Sequence, residues 1–151
     1  MELNPSPSAS APIEPMPRNV VFVLYPEVSL LDFAGPQTVF WAASHYAHER
    51  GMPGYRCHVA SESGGAVAAV EGPAMQTVAR DTLDLREVDT VIVPGSPNIL
   101  QVAIDSGSLI EWLGMASARV RRTASVCSGA FLLAHAGLLD GRGSDGPVGQ
   151  R

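Results

Sequence analysis

Asn19–Gly51 reads NVVFVLYPEVSLLDFAGPQTVFWAASHYAHERG, and the order of its parts decides the fold. Val20–Leu24 is an unbroken run of β-branched, aromatic and aliphatic residues, stopped by Tyr25-Pro26. A strand wet on one face alternates polar with apolar, whereas one that is apolar throughout is buried on both faces, as in a parallel sheet. Next comes Pro36, which suits the first turn of a helix. Val39, Phe40, Ala43 and Ala47 follow at helical spacing, and Gly51 stands at the stop position. A buried strand leading into a helix is the opening half of a βαβ unit.

The alternation continues outward from that stretch. Tyr55–Ser61 (YRCHVAS) alternates as a strand, and Gly64-Gly65 turns the chain into Ala66–Val70. Beyond Glu71-Gly72-Pro73 comes the short apolar segment Met75–Val78, so this region predicts a small β excursion. Thr90–Val93 (TVIV) is a second buried strand, ended by Pro94-Gly95. Asn98–Asp105 and Ser108–Val120 carry helical periods. In the second, Leu109, Trp112, Leu113 and Ala116 share a face, and Ser108 with Glu111 has capping-box spacing. Thr123–Val126 (TASV) is the third core strand. It runs into Cys127-Ser128-Gly129 and the helix AFLLAHA, which Gly137 ends. The pattern predicts a three-layer, flavodoxin-like α/β sandwich with a mostly parallel sheet and right-handed crossovers.

With 151 residues, 46% of them apolar and 17% charged, one domain with its own core is expected. Residues 1–18 hold five of the twelve prolines and no apolar period, and read as a disordered leader. The domain spans 19–142, and 143–151 (GSDGPVGQR) reads as an unstructured tail. The ten cations are all arginine against fifteen acids, a net charge of −5, so no basic patch can neutralise a run of phosphates and direct nucleic-acid binding by this chain is excluded. No apolar run reaches membrane-spanning length. Two cysteines and no signal segment predict a reducing, cytoplasmic setting.

Three segments deliver polar or reactive groups to the carboxyl ends of the strands, where open parallel sheets bind ligands. They are Glu27–Asp32, Gly95-Ser96 and Cys127. Cys127 stands at a strand-to-helix junction with Gly129 two residues on, a setting that favours thiolate and resembles a nucleophile elbow. A small buried residue would satisfy the same position. Asp32 reads either as a first-turn or capping carboxylate, or as a carboxyl aimed across the cleft at the Cys127 sulfur. Glu27 reads as a solvated turn residue and Cys57 as core packing. Gly95-Ser96 offers backbone N–H groups for an oxyanion or anion site. His45, His48, His58 and His135 lack metal-ligand spacing, and no G-x-G-x-x-G follows any strand, so neither metal nor cofactor is expected.

Taken together, VVFVLYPEVSLLDFAGPQTVF (20–40), VDTVIVPGS (88–96) and RRTASVCSGAFLLAHAGLLDGR (121–142) resemble the ThiJ/PfpI superfamily, the class I glutamine amidotransferase-like fold. The wording is most similar to the N-terminal domain of AraC-type transcriptional regulators of the GlxA-like group, and somewhat less so to isocyanide hydratases. The resemblance implies Cys127 as the elbow cysteine, Asp32 as its acidic neighbour and Gly95 and Ser96 as backbone donors. Ser128 stands where protease-like members carry histidine, so protease chemistry is not implied. Gly95, Ser96, Ser128 and Gly129 become the candidate ligand-binding set, with Ser128 also supporting Cys127 and Asp32. The implied function is a ligand-sensing and dimerisation domain, a homodimer that binds a small molecule and lacks its helix-turn-helix part. The alternative is a small cysteine-dependent hydro-lyase with Cys127 as nucleophile and Asp32 as proton donor. Family members continue beyond Gly141-Arg142 with further strands and helices, so a C-terminally truncated domain with an unpaired sheet edge is expected.

Overall fold

A computed structural model describes residues 15–141. Six strands and four helices alternate in the order the sequence predicts. The strands are β1 (Arg18–Val23), β2 (Tyr55–Ser61), β3 (Gly65–Ala68), β4 (Ala74–Ala79), β5 (Val88–Val93) and β6 (Arg122–Ser125). They form one sheet in the order β3-β4-β2-β1-β5-β6. All neighbours are parallel except the β3–β4 hairpin, and β4 lies parallel to β2, so the β excursion is the sheet's own margin. This is the flavodoxin-like α/β arrangement.

Val20–Leu24 is fully buried, as an all-apolar central strand must be. Val91 and Val93 of β5 lie beside it in the core with Leu113 and Leu132 from the helices. Helix α1 (Leu30–Glu49) packs on β2, whereas α2 (Ile99–Asp105), α3 (Gly107–Ser117) and α4 (Ala130–His135) pack against one another. The predicted inner face of α3 is the observed one, since Leu109, Trp112, Leu113 and Ala116 are all buried.

Two helix starts differ from expectation. Helix α1 begins at Leu30, so Pro36 lies inside it and Asp32 belongs to its first turn. The early start is possible because a distant carboxylate serves the helix end: Glu71, on the β3–β4 turn, accepts the Leu30 N–H at 3.0 Å and the Ser29 hydroxyl at 3.3 Å. Helix α3 begins at Gly107, which leaves Ser108 inside the helix, donating to Glu62 instead of closing a capping box. The ends agree with prediction. Gly51 and Gly137 both have positive φ (67° and 72°). Behind each, the next two N–H groups fold back on the last turn, Gly51 to His48 and Met52 to Ala47, Gly137 to Ala134 and Leu138 to Leu133.

Helix α1 buries less than its spacing predicts. Phe33 is its only fully buried side chain, and Val39, placed on the inner face by periodicity, is 67% exposed with Leu31, Trp41 and Tyr46 also outside. The β6 edge has no further partner strand among the described residues. Expectations for most of the leader, residues 1–14, and for the ending, 142–151, lie outside the described residues; β1 itself starts at Arg18, one residue before the expected boundary.

One surface pair makes the fold sensitive to acid. Arg121, just before β6, grips Asp89 on β5 with two bonds of 2.7 Å, and Thr90 donates to the same carboxylate. The guanidinium hydrogen bonds, first among the causes, hold the Asp89 carboxyl down to about 2 from 3.8. A folded-state value below the unfolded one means the pair stabilises fully above about pH 4 and loses its effect as pH falls towards about 2. Asp89→Asn should therefore lower stability at pH 7 by about 1 kcal/mol, allowing for the exposure of Arg121, and change little at pH 2. Urea midpoints across that range check this.

Candidate functional site

The chain leaves β1 for β2 on one side and later fills β5 on the other, so the sheet changes direction between β1 and β5. The crevice outside the carboxyl ends of those strands is where such sheets bind ligands. Segments following β1, β5 and β6 meet there, and both non-glycine residues with positive φ among the described residues flank it.

Cys127 is the first of these, at φ 51°. A 3-10 turn, Cys127–Gly129, separates β6 from α4, and the side chain is exposed, so a small buried residue is not what this position holds. A non-glycine residue held in the left-handed region costs on the order of 1–3 kcal/mol and persists only where its surroundings enforce it. Gly129 supplies that enforcement. It is buried, and a Cβ there would run into the Val93 carbonyl oxygen and come within 2.8 Å of that of Pro94. Glu27 is the second strained residue, at φ 66°. It holds the third position of the turn Tyr25–Val28, closed by the Val28 N–H on the Tyr25 carbonyl, where glycine is usual. Its carboxylate is more than solvated, because Asn98 donates to it at 3.2 Å and ties the β1 and β5 loops together.

Asp32 lies in the first turn of α1, as its first-turn reading expects. It does not cap α1, whose end Glu71 serves, and it makes no hydrogen bond to Cys127 among the described residues. Its Oδ2 accepts the Gly95 N–H at 3.2 Å, although both side chains line one cleft. Ser128 acts likewise on the next amide: its hydroxyl accepts from the Ser96 N–H at 3.0 Å and donates to the Ser96 carbonyl at 2.9 Å. The Gly95 and Ser96 amides, expected as free donors for an anion, thus already have side-chain partners inside the site. Gly95 is glycine for space, since a Cβ there would lie 2.6 Å from the Ser128 hydroxyl and 2.7 Å from the Asp32 carboxylate. Of the expected ligand set, Ser96 and Ser128 face the cleft, while Gly95 and Gly129 shape it from behind.

The cleft holds about 500 Å³. Asp32, Cys127, Ser29, Ser96, Ser128, Pro97 and Ile99 line it, together with Val70 and Glu71 from the β3–β4 turn. Sequence reasoning missed Glu71, and no local signal marks it, because its partners lie 41 and 42 residues away. Hydrogen bonding by the Leu30 N–H holds its carboxyl below the ordinary glutamate range. In the sequence Tyr25 marks only the end of a strand. It is buried, its hydroxyl donates to the Pro94 carbonyl at 2.6 Å, and burial followed by the nearby charges of Asp32 and Cys127 pushes its ionisation well above the ordinary tyrosine value. It is a permanent donor holding the β1 and β5 ends together. His58 donates to Asn19, its charging disfavoured by burial and then by Arg56, and His135 bonds the Phe131 carbonyl.

The two thiols should part company chemically. Cys127 is exposed, whereas Cys57 is half-buried against the core and burial pushes its thiol above the ordinary range. Iodoacetamide near pH 7.5 should modify one thiol at least tenfold faster than the other. Cys127→Ser should remove the fast phase and leave the slow one, as intact-mass measurement over time would show.

An uncharacterized protein of Streptomyces lividans is 33% identical over 133 residues, covering 83% of this chain and 84% of that protein. A helix-turn-helix-type transcriptional regulator of Mycobacterium tuberculosis is 45% identical over 62 residues, 41% of this chain and 24% of the regulator. The isonitrile hydratase of Pseudomonas putida is 27% identical over 128 residues, 84% of this chain and 51% of the enzyme. This chain therefore spans about a quarter of that regulator and about half of that hydratase. The crystal structure of an AraC family transcriptional regulator from Pseudomonas putida shares the fold, with a TM-score of 0.68 at 20% identity over 82% of this chain and 72% of that one. Residues 18–146 match the model of the DJ-1/PfpI family, from the first residue of β1 past the end of α4, and the chain belongs to that family.

Proposed function

We propose that this chain is the ligand-sensing and dimerisation domain of an AraC-type transcriptional regulator of the GlxA-like group, with the Asp32–Cys127 cleft as the seat of a small metabolite. One observation carries the reading: the Gly95 and Ser96 amides, which a reaction building negative charge would need, are bonded to Asp32 and Ser128. What remains is a pocket with a thiol, two carboxylates, hydroxyls and the apolar Val70, Pro97 and Ile99, suited to holding a ligand. The likeness to the Mycobacterium tuberculosis regulator supports it. Such a domain works in the cytoplasm without contacting DNA itself, consistent with the net charge of −5. None of the described helices is long and apolar enough to cross a membrane.

The partner in this reading is a second copy. The outer side of α1 carries Leu31, Val39, Trp41 and Tyr46, all more than half exposed, and it begins beside Asp32 at the cleft. Pairing there would join the two clefts mechanically. Sedimentation at micromolar concentration should give a dimer, and Val39→Asp should give a folded monomer.

The second reading is a cysteine-dependent hydro-lyase of the isonitrile hydratase type, favoured by the strained, exposed Cys127 in the same cleft as Asp32 and by the 27% identity to that enzyme. There the Cys127 sulfur adds to the terminal carbon of R–NC while Asp32 delivers a proton, and water then displaces the sulfur to give R–NH–CHO. One experiment separates the two. The whole chain is incubated with cyclohexyl isocyanide and assayed for the formamide, and in parallel screened by thermal shift against a metabolite panel, with Cys127→Ser beside it. Binding that survives Cys127→Ser, with no formamide, supports the sensor. Formamide that disappears with Cys127→Ser overturns it in favour of the hydro-lyase.

A further inference from the structure

A second cavity, sharing no lining residue with the cleft, lies at the carboxyl ends of β1 and β2 and beside the α2–α3 junction. It holds about 250 Å³, ample for a small polar ligand. Arg80, the first residue after β4, lines it and is only 7% exposed. Its guanidinium lies over the buried Trp112 ring, 5.9 Å from the centroid. Among the described residues its one ion partner is Glu62, 3.4 Å from Nη2, while the buried Nε has none.

Nε and Nη2 share the side of a guanidinium that a carboxylate grips with two parallel hydrogen bonds. Here that grip is half made, by a single long contact. A permanently charged group sunk this deep without its bonds is costly, and such sites are satisfied by a partner of matching shape. Glu62 holds the place loosely. Its side chain is 65% exposed, so it can swing into solvent by giving up the Ser108 hydroxyl as well.

Charge decides what could replace it. A simple anion on Arg80 would gather three negative charges, its own with those of Glu62 and Asp105, around one guanidinium. A ligand carrying a carboxylate and an ammonium group avoids this, because the carboxylate completes the fork on Arg80 while the ammonium meets the displaced Glu62 and Asp105. The Ser63 and Ser106 residues of the wall add polar partners for the same groups. We propose that this cavity is a binding site for a small α-amino carboxylate, separate from the Cys127 cleft, with Arg80 as the carboxylate receptor and Glu62 as the residue that occupies it when the ligand is absent.

The test uses the whole chain. Trp41→Phe leaves Trp112, against Arg80, as the remaining tryptophan. Each of the twenty common L-amino acids, and separately acetate and methylammonium, is titrated against its fluorescence. At least one amino acid should saturate at millimolar concentration or below, while acetate and methylammonium at tenfold higher concentration should not. Glu62→Gln should weaken that binding at least tenfold, Arg80→Lys should abolish it, and Cys127→Ser should leave it unchanged. Should Arg80→Lys fail to fold, Glu62→Gln and Asp105→Asn, both at exposed positions, carry the decision. Saturation by none of the twenty, equal binding of acetate, or an affinity untouched by Glu62→Gln would each overturn the proposal. Loss of binding in Cys127→Ser would move the ligand to the cleft, whereas failure here with ligand binding intact there leaves the sensor reading standing.

Discussion

Gly129→Ala should destabilise the domain by about 3 kcal/mol or more, a fall in melting temperature of roughly 10 °C or greater for a chain of this size. Backbone conformation alone does not oppose the change, since Gly129 has φ −54° and ψ −22°, a conformation alanine adopts freely. Sterics do. The added Cβ meets the Val93 carbonyl oxygen, which also accepts the Val126 N–H at 2.9 Å, and the Pro94 carbonyl behind it. Neither obstacle is a side chain that can turn away. Relief requires moving the end of β5, where Val93 is fully buried, or the start of α4, where Leu132 is fully buried. Either movement also releases Cys127 from the left-handed region, so the fast thiol alkylation should change together with the melt. A melting temperature equal to or above that of the parent chain would refute this account of the elbow.

The elements that sequence made legible are those whose signals are local. Val20–Leu24 announces a buried strand by having no polar residue, and Gly51 and Gly137 mark helix ends because only glycine takes their φ cheaply. The convergence of Gly95, Ser96, Cys127 and Ser128 is legible for the same reason, as each follows within a few residues of a strand end, and Asp32 joins them from the first turn of the helix after β1. What escaped depended on residues far apart in the chain. The start of α1 lies ahead of where Pro36 points, because Pro36 is an ordinary first-turn signal, whereas the carboxylate that serves the helix end, Glu71, sits on the β3–β4 turn. The free oxyanion donors failed similarly: spacing locates the Gly95 and Ser96 amides but not the Asp32 and Ser128 oxygens that fill them. Periodicity also places Val39 inside, although this 20-residue helix, lying over the central strands β1 and β2, carries more apolar surface than they can cover.

That shortage of cover on α1 sets the other large effect. Phe22→Ala should cost about 3–5 kcal/mol, the range for deleting a wholly buried aromatic ring. Phe22 has no exposure and stands in β1 between Val59 of β2 and Ile92 of β5. Its ring meets Phe33 edge-on at 5.5 Å and Phe40 at 6.1 Å, and Phe40 in turn meets Tyr55 at 4.9 Å. These edge-to-face contacts contribute beyond buried area, and they are the main anchorage of a helix whose one fully buried side chain is Phe33. Truncating Phe22 removes the ring both α1 phenylalanines share, and the backbone of a central parallel strand cannot collapse to refill the space. The loss should therefore exceed what transfer of the ring alone would account for, while Phe22→Leu, which keeps most of the volume, should cost well under half as much. Because Asp32 precedes Phe33, loosening this anchor should also free the Gly95 amide from its carboxylate partner. Hydrogen exchange at Gly95 should then accelerate in Phe22→Ala by more than the global loss of stability requires. Exchange that rises only in step with global unfolding would mean that the Asp32 carboxylate is held by the β5 loop and not by α1.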